Sequence, residues 1–405
     1  MKFNKLSQLI LVSFIGLVVA SLLTACQLVT IDYIYVACSA GNGPGSAGQI
    51  YSYAVDSQSG ALRVGQKTVS SGGTNPVALA VTANYYHLYA ANQGNKSVVH
   101  FSIGLSGALT QKESVTLTDV PVALAVNSAN TYLYVLSGST SATLTEYPID
   151  KLGVIGAPAA TLSLTLPGNF AGDTIVPTAV TVLADSTAVY VAAYDQSAYN
   201  PGGATTSNAN PGWVFGYTVG SGGALTALSG SPYQAGVKPS AIATDPVNRF
   251  VYVTDYASNE LIGYTVMAKD TLNFMVNGPF KTGNQPTSLV VDPRGIYIYL
   301  SNSLDSSVSA YSISLQTGAP STVVNATSSA GNGTDTQPVS IVVEPSLGRF
   351  VYTANHLGNS VSGFRLNPET GSLELTQATP YPTGTNPTAL AAIPYGNHAT
   401  QAVTP

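Results

Sequence analysis

Few side chains in this 405-residue sequence could do chemistry, and they gather in one kind of place. Asp173, Asp195, Asp255, Glu260, Asp305, Asp335 and His356 fall in Gly-, Asn- and Ser-rich stretches between apolar runs, with Asn92, Asn302 and Asn355 beside them. Such oxygen donors could take a cation, a sugar or a polar partner. No D-x-D-x-D-G loop is present, so calcium is not expected. His356 is the one candidate general base of the group, since an imidazole exchanges protons near neutral pH. The four histidines (His87, His100, His356, His398) are scattered, and no C-x-x-C occurs. Neither a metal nor a cofactor is therefore expected. The ligand-binding candidates are Asn92, Asp195, Asp255, Asn302, Asp305, Asn355 and His356, with His356 alone a candidate for catalysis.

These residues sit in an unusual background. Hydrophobic residues make up 45% of the chain and charged residues only 8%, about a third of the usual ~25%. A disordered chain would be richer in charge and poorer in apolar residues. A nucleic-acid binder would need a basic cluster, whereas Lys and Arg total 14 against 19 acids. Long helices would carry Glu and Lys on their exposed faces. What remains is a β-rich globular protein with a Ser, Thr, Asn and Gly surface.

The elements that position the candidates are repeats. A proline followed by an alternating small and apolar strand occurs at Pro76, Pro121, Pro177, Pro239, Pro286, Pro338 and Pro387, spaced by 45, 56, 62, 47, 52 and 49 residues. A second strand follows the first six, centred on Tyr89, Tyr134, Tyr190, Tyr252, Tyr299 and Tyr352. The Pro-to-Tyr distance is 13 residues five times and 14 once. A third strand carries Phe101, Tyr147, Tyr217, Tyr264, Tyr311 or Phe364. A fourth reads SGALT, GGALT or TGSLELT. We label the four A to D. The N-terminus holds a B strand (Tyr35), a C strand (Tyr53) and a D strand with no A strand, and the C-terminus ends on a lone A strand. Joined, they make a seventh unit and close a ring. The expectation is an all-β, seven-bladed β-propeller of four-stranded antiparallel blades over 33–394, with a tail at 395–405. Closure removes open sheet edges. The B and C aromatics are expected to pack between blades.

In a four-stranded blade the D–A and B–C loops share one face, and the candidate residues all fall there. The stretch 193–212 lengthens one B–C connection: Tyr to aromatic spans 27 residues, against 12 or 13 in five other blades. It ends at Trp213, the only tryptophan, and loops of that length are often functional or disordered. Arg249, Arg294 and Arg349 fall in the A–B turns on the opposite face.

Residues 1–25 have Lys2 and Lys5 ahead of an apolar stretch from Leu9 to Leu23, the pattern of a secretory signal peptide. Leu23-Thr24-Ala25-Cys26 resembles the bacterial lipoprotein box. The resemblance implies cleavage before Cys26, diacylglycerol on its sulfur and, with Gln27 next, an outer-membrane or periplasmic address, 26–32 serving as linker. The remaining chain would carry 12 basic and 19 acidic residues, a net charge near −7. Cys38 would be the one other cysteine, and it reads as a small buried apolar residue.

P-x-A-[LIV]-A-V, then YAAN (89–92), YVTD (252–255) or YTAN (352–355), then S-V-x-x-[FY] and G-x-L-T resemble the YVTN repeats and the seven-bladed lactonase family, which includes 6-phosphogluconolactonase-like proteins. The resemblance implies lactone hydrolysis by Arg, His and Glu on one face, from P-R-H opening an A strand and N-E-L after the Tyr of that blade. The best-matching blade here has Val339 and Ser340 for the Arg and His, and His356 for the Glu. The expected function is therefore an envelope-anchored, monomeric scaffold that binds a small polar ligand or an envelope protein. The alternative is a lactone hydrolase with diverged active-site residues.

Overall fold

The computed structural model describes residues 29–39, 47–139, 141–166, 174–197, 210–323 and 332–396. Their strands form seven antiparallel sheets, each ordered A-B-C-D. Blade 1 closes the ring. Its A strand is the C-terminal Pro387–Pro394, hydrogen-bonded to the N-terminal B strand Thr30–Cys38, followed by Gln49–Asp56 and Leu62–Val64. The first strand thus starts at Thr30, three residues before the boundary read from the sequence. The A and B strands of the remaining blades are Pro76–Val81 and His87–Asn92 in blade 2, and Pro121–Val126 and Tyr132–Ser137 in blade 3. Those of blades 4 and 5 are Ile175–Val182 with Ala188–Asp195, and Pro239–Thr244 with Phe250–Asp255. Blades 6 and 7 have Pro286–Val291 with Tyr297–Asn302, and Pro338–Val343 with Phe350–Asn355. Each A strand lies between the A strands of its two neighbours, so the seven form the inner circle. Small side chains there let the strands approach the axis.

The apolar side chains are sorted into seven clusters, each lying between two adjacent blades. The B-strand tyrosines are all fully buried, and the C-strand aromatics are buried beside them, as the pattern predicts. The hydroxyls add something the pattern did not show. Tyr35, Tyr89, Tyr252, Tyr299 and Tyr352 each donate to a glycine carbonyl in the C–D turn of the next blade: Gly107, Gly153, Gly318, Gly371 and Gly60, at 2.7–2.9 Å. Tyr190 donates to Asp270 in the same kind of turn at 2.5 Å. Burial raises these phenols far above their usual range, so they stay protonated donors. Each acceptor glycine has positive φ, +66° to +76°, and lies against a ring or imidazole two residues before the tyrosine. A side chain there would be both strained and obstructed. Blade 3 is the exception. Tyr134 has no turn carbonyl, because the Glu146 carboxyl fills the space beside Gly223 and faces its hydroxyl.

Ring closure carries a second buried polar pair. Asp32, on the first strand, and Glu344, at the end of strand A of blade 7, are both fully buried, and their carboxyls face each other. Ser346 Oγ donates to Asp32 Oδ1 at 2.6 Å, and Glu344 accepts the backbone N–H groups of Leu347 (2.9 Å) and Arg349 (2.6 Å). Burial raises the Glu344 carboxyl, but the backbone N–H groups and the Asp32 hydrogen bond oppose that shift, so Glu344 is the partner that keeps the charge and Asp32 the proton carrier. Burial first, then the neighbouring Glu344 charge, holds the Asp32 carboxyl well above the usual carboxylate range.

Candidate functional site

Antiparallel order puts every D–A and B–C connection on one face of the ring. In six blades the residue after the B strand donates its N–H to the carbonyl of the residue before the A-strand proline. The pairs are Ser39–Asn386, Gln93–Asn75, Gly138–Val120, Tyr256–Lys238, Ser303–Gln285 and His356–Gln337, at 2.8–3.2 Å. These pairs surround the mouth of the central opening. Most are amides, hydroxyls or apolar groups. Lys238, Tyr256 and His356 are the ionisable members.

The Lys238 ammonium lies 4.9 Å from the Tyr256 ring centre and 5.5 Å from that of Tyr194 in blade 4. Such placement is favourable for a cation held between aromatic faces. Burial lowers the Lys238 pKa. His356 Nδ1 lies 3.1 Å from the carbonyl oxygen of Pro387 in the next blade. That contact requires Nδ1 to carry the proton, so Nε2 is the free lone pair.

His356 completes a pattern in the inner circle. The residue after the A-strand proline donates a hydroxyl to the next blade's proline carbonyl: Ser240 to Pro286 (2.6 Å), Thr287 to Pro338 (2.9 Å) and Thr388 to Pro76 (2.7 Å). Blade 7 has Val339 at this position, and the His356 imidazole supplies the missing donor.

The other candidates read from the sequence do not share one surface. Asn92, Asp195, Asp255, Asn302 and Asn355 are buried. Asn92 accepts from Ser71 Oγ at 2.6 Å, and Asp255 accepts the N–H groups of Val237 and Lys238 at 2.7 and 3.0 Å. Asn355 donates to Ser360 and Ser362 at 3.0 and 2.9 Å, and Asn302 likewise to Ser307 and Ser309 at 3.1 and 2.9 Å. Asp195 accepts the Ser197 N–H at 2.8 Å. Asn92, Asp195 and Asp255 tie their B strands to adjoining loops, and Asn302 and Asn355 tie theirs to the neighbouring C strand. Asp305 is exposed and clamps Asn284. Asp173, His398, Cys26, the leader 1–25 and most of the 193–212 insert lie outside the described residues. Cys38 is buried, its thiol pushed up to about 11 by burial.

Sequence reading missed Lys238 and Tyr256. The available signal was the position before each A-strand proline, occupied by Asn75, Val120, Val176, Lys238, Gln285, Gln337 and Asn386, one cation in seven. It also missed a contact between histidines that are 13 residues apart. His87 Nδ1 lies 3.0 Å from His100 Nε2, and His100 Nδ1 lies 2.9 Å from Glu113 Oε1. This row lies between blades 2 and 3, where His87 takes the place that Phe250 and Phe350 fill in other blades. The described residues hold no group of three or more His, Cys, Asp or Glu side chains placed to bind a metal. No helix among them is long and apolar enough to cross a membrane.

A closed ring of seven four-stranded antiparallel blades defines a seven-bladed β-propeller. The family model described as "Lactonase, 7-bladed beta-propeller" matches residues 33–195 and again 105–399, and the chain belongs to that family. A search of curated proteins gives no match. Among solved structures, a periplasmic gluconolactonase from Pseudomonas aeruginosa superposes with a TM-score of 0.72 at 17% identity, covering 90% of this chain and 100% of that one. A candidate 6-phosphogluconolactonase from Bacteroides uniformis gives 0.71 at 16% identity, covering 90% and 99%. A protein from Lactobacillus plantarum gives 0.70 at 15% identity, covering 90% and 100%. At these identities the likeness carries the fold alone.

Proposed function

We propose that this protein is an envelope propeller that binds a polyhydroxylated anion, a sugar acid in chemical class, at the mouth of the ring without hydrolysing it. The observation that carries this reading is Lys238. It is the one cation among seven equivalent mouth positions, held by two tyrosine rings in a circle otherwise made mainly of amides and hydroxyls. An ammonium can pair with a carboxylate, the rings can cover sugar C–H faces, and the amides can take hydroxyls. The nearby carboxylates Asp195 and Asp255 are buried and accept backbone N–H groups, so neither is free to activate water. The envelope address rests on the leader and Cys26, and a structural relative described as periplasmic agrees with it.

Lactone hydrolysis is the second reading. Family membership favours it, and so does His356, whose tautomer leaves Nε2 as a base. Titration calorimetry with gluconate and pH-stat assays on aldonolactones separate the two. The binding reading expects gluconate affinity that falls at least tenfold in Lys238→Met, and no lactone turnover. Turnover that vanishes in His356→Ala would overturn it in favour of the hydrolase.

A further inference from the structure

The two faces of the ring differ, and the chain's ends emerge on only one. Strand Thr30–Cys38 starts, and strand Pro387–Pro394 ends, on the face of the A–B and C–D turns, opposite the mouth. The chain is already fixed at Val29, whose carbonyl accepts the Ser57 N–H at 2.9 Å. Cys26 is three residues away. At most ~3.3–3.6 Å per residue, that leaves a tether of about 10 Å. This step rests on the envelope reading in which Cys26 carries lipid.

Two further features of that face are independent of the tether. Large apolar side chains project from its turns and terminus: Tyr86, Leu105, Leu152, Met267, Leu315 and Tyr395, with Leu105 80% and Leu152 73% exposed. They come from blades 1, 2, 3, 5 and 6, so they stud the face rather than form one patch. On the mouth face the described B–C loops expose Leu304 and Leu357, and one D–A connection exposes Val276. The second feature is a pair of free guanidiniums. Arg249 bonds Asp245 (2.7 Å) and the Gly295 carbonyl of the next blade (3.0 Å), and Arg294 bonds Asp292 and the Gly348 carbonyl (both 2.8 Å). Arg349 is third in the series, but the neighbouring blade is the closing one. Its A and B strands come from opposite chain ends, so no turn carbonyl awaits there, and Glu344 is engaged with backbone and Asp32. Arg349 and Arg365 therefore have no side-chain partner among the described residues. They line a cavity of about 410 Å³ on this face together with Glu369 and Glu374, the latter directly opposite Arg365 on the neighbouring strand.

We infer that the A–B/C–D turn face is a bilayer-docking surface. The lipid on Cys26 holds it against the leaflet, the scattered apolar side chains enter the headgroup region, Arg349 and Arg365 meet lipid phosphate, and the mouth faces away from the membrane. Scattered apolar insertion and paired cations are what interfacial docking uses beside a lipid anchor.

The test uses the full-length protein in phosphatidylethanolamine/phosphatidylglycerol vesicles, with an environment-sensitive dye on a single added cysteine. Leu105→Cys and Leu315→Cys report the turn face, and Leu304→Cys and Leu357→Cys the mouth face. Buried Cys38 does not compete for the dye. Brominated lipid should quench the turn-face dyes several-fold more than the mouth-face dyes. R349E/R365E should reduce that quenching without changing dye response in detergent. Mass spectrometry of Cys26 separates the premises. Absence of diacylglyceryl overturns the anchoring reading and the docking with it. Lipidated protein with equal quenching on both faces, or more at the mouth, overturns the docking alone. An unchanged response in R349E/R365E overturns the phosphate contact.

Discussion

Replacing Asp32 by Asn should stabilise the protein at neutral pH and leave it unchanged in acid. In the folded chain Asp32 is enclosed, donates its proton toward the Glu344 carboxylate and accepts from Ser346. Asn reproduces that arrangement, with its amide in place of the acid proton and its carbonyl still facing Ser346 Oγ. The sign follows from the raised folded pKa. Protonated Asp32 contributes its full stability below the unfolded value of 3.8 and loses it as pH rises toward the folded value. Each pH unit in that interval removes about 1.4 kcal/mol. The interval from 3.8 to pH 7 sets a ceiling of about 4 kcal/mol for the gain in Asp32→Asn at neutral pH. For a chain this large each kcal/mol moves Tm by about 2 °C. Thermal melts of both proteins from pH 4 to 8 should therefore coincide near pH 4 and diverge by several degrees at pH 7, the variant higher. Parallel curves, or a variant that loses ground as pH rises, would refute the shared-proton account. Breaking the pair with Asp32→Ala should destabilise at every pH, since it leaves Ser346 and Glu344 without their partner.

Other consequences concern the blade interfaces. Tyr299→Phe should cost about 1–2 kcal/mol in chemical denaturation, because it strips the buried Gly371 carbonyl of its donor, whereas Tyr134→Phe, whose hydroxyl lacks a turn carbonyl, should cost less. Gly318→Ala should destabilise by more than about 2 kcal/mol, since φ is +75° and a Cβ would meet Phe250 and Met275; Gly222→Ala, at the same φ with open space around it, should cost only about 1 kcal/mol. Burial, and then His100, keep the His87 pKa below its usual 6.5, so the neutral ring's contribution is complete above that value and lost as pH falls below it. His87→Phe should flatten the acid limb of the stability profile between pH 7 and 5. His356→Ala should lower Tm, and adding Val339→Thr should recover part of the loss by restoring a hydroxyl to the Pro387 carbonyl; no recovery would argue against the inner-circle donor pattern.

The architecture was legible because it is periodic. Seven prolines, their tyrosines 13 or 14 residues on, and an orphan A strand at one end matched by B, C and D strands at the other leave little choice but a closed ring. The tyrosine hydroxyls were not legible, because their acceptors are carbonyls 64–80 residues away in most blades and carry no side-chain signature. Several of the candidate site residues carry a structural role that the sequence did not show. Asn92, Asp255 and Asn355 fall at the end of a B strand where loops begin, and polarity beside a loop suggested solvent and ligand. A propeller's D–A connection must fold back over that strand end, and its backbone N–H groups need acceptors. Asp255 serves that need for Val237 and Lys238, and Asn92 holds Ser71 of the connection through its hydroxyl and carbonyl, whereas Asn355 bonds Ser360 and Ser362 of the next strand.

His356 shows why one position cannot be interpreted apart from its repeat. Alone, a histidine at a ring mouth suggests a base. Aligned with Ser240, Thr287 and Thr388 across blades, it stands where Val339 lacks a hydroxyl, and its Nδ1 donates to the carbonyl those residues would reach. The same contact fixes the tautomer that exposes Nε2, so the structural role and a catalytic one are carried by opposite edges of one ring. A stability loss in His356→Ala is expected on either account. Restoring the inner-circle bond through Val339→Thr recovers stability without restoring a base, so lactone turnover measured in that double variant tests the ring's second edge separately from its first.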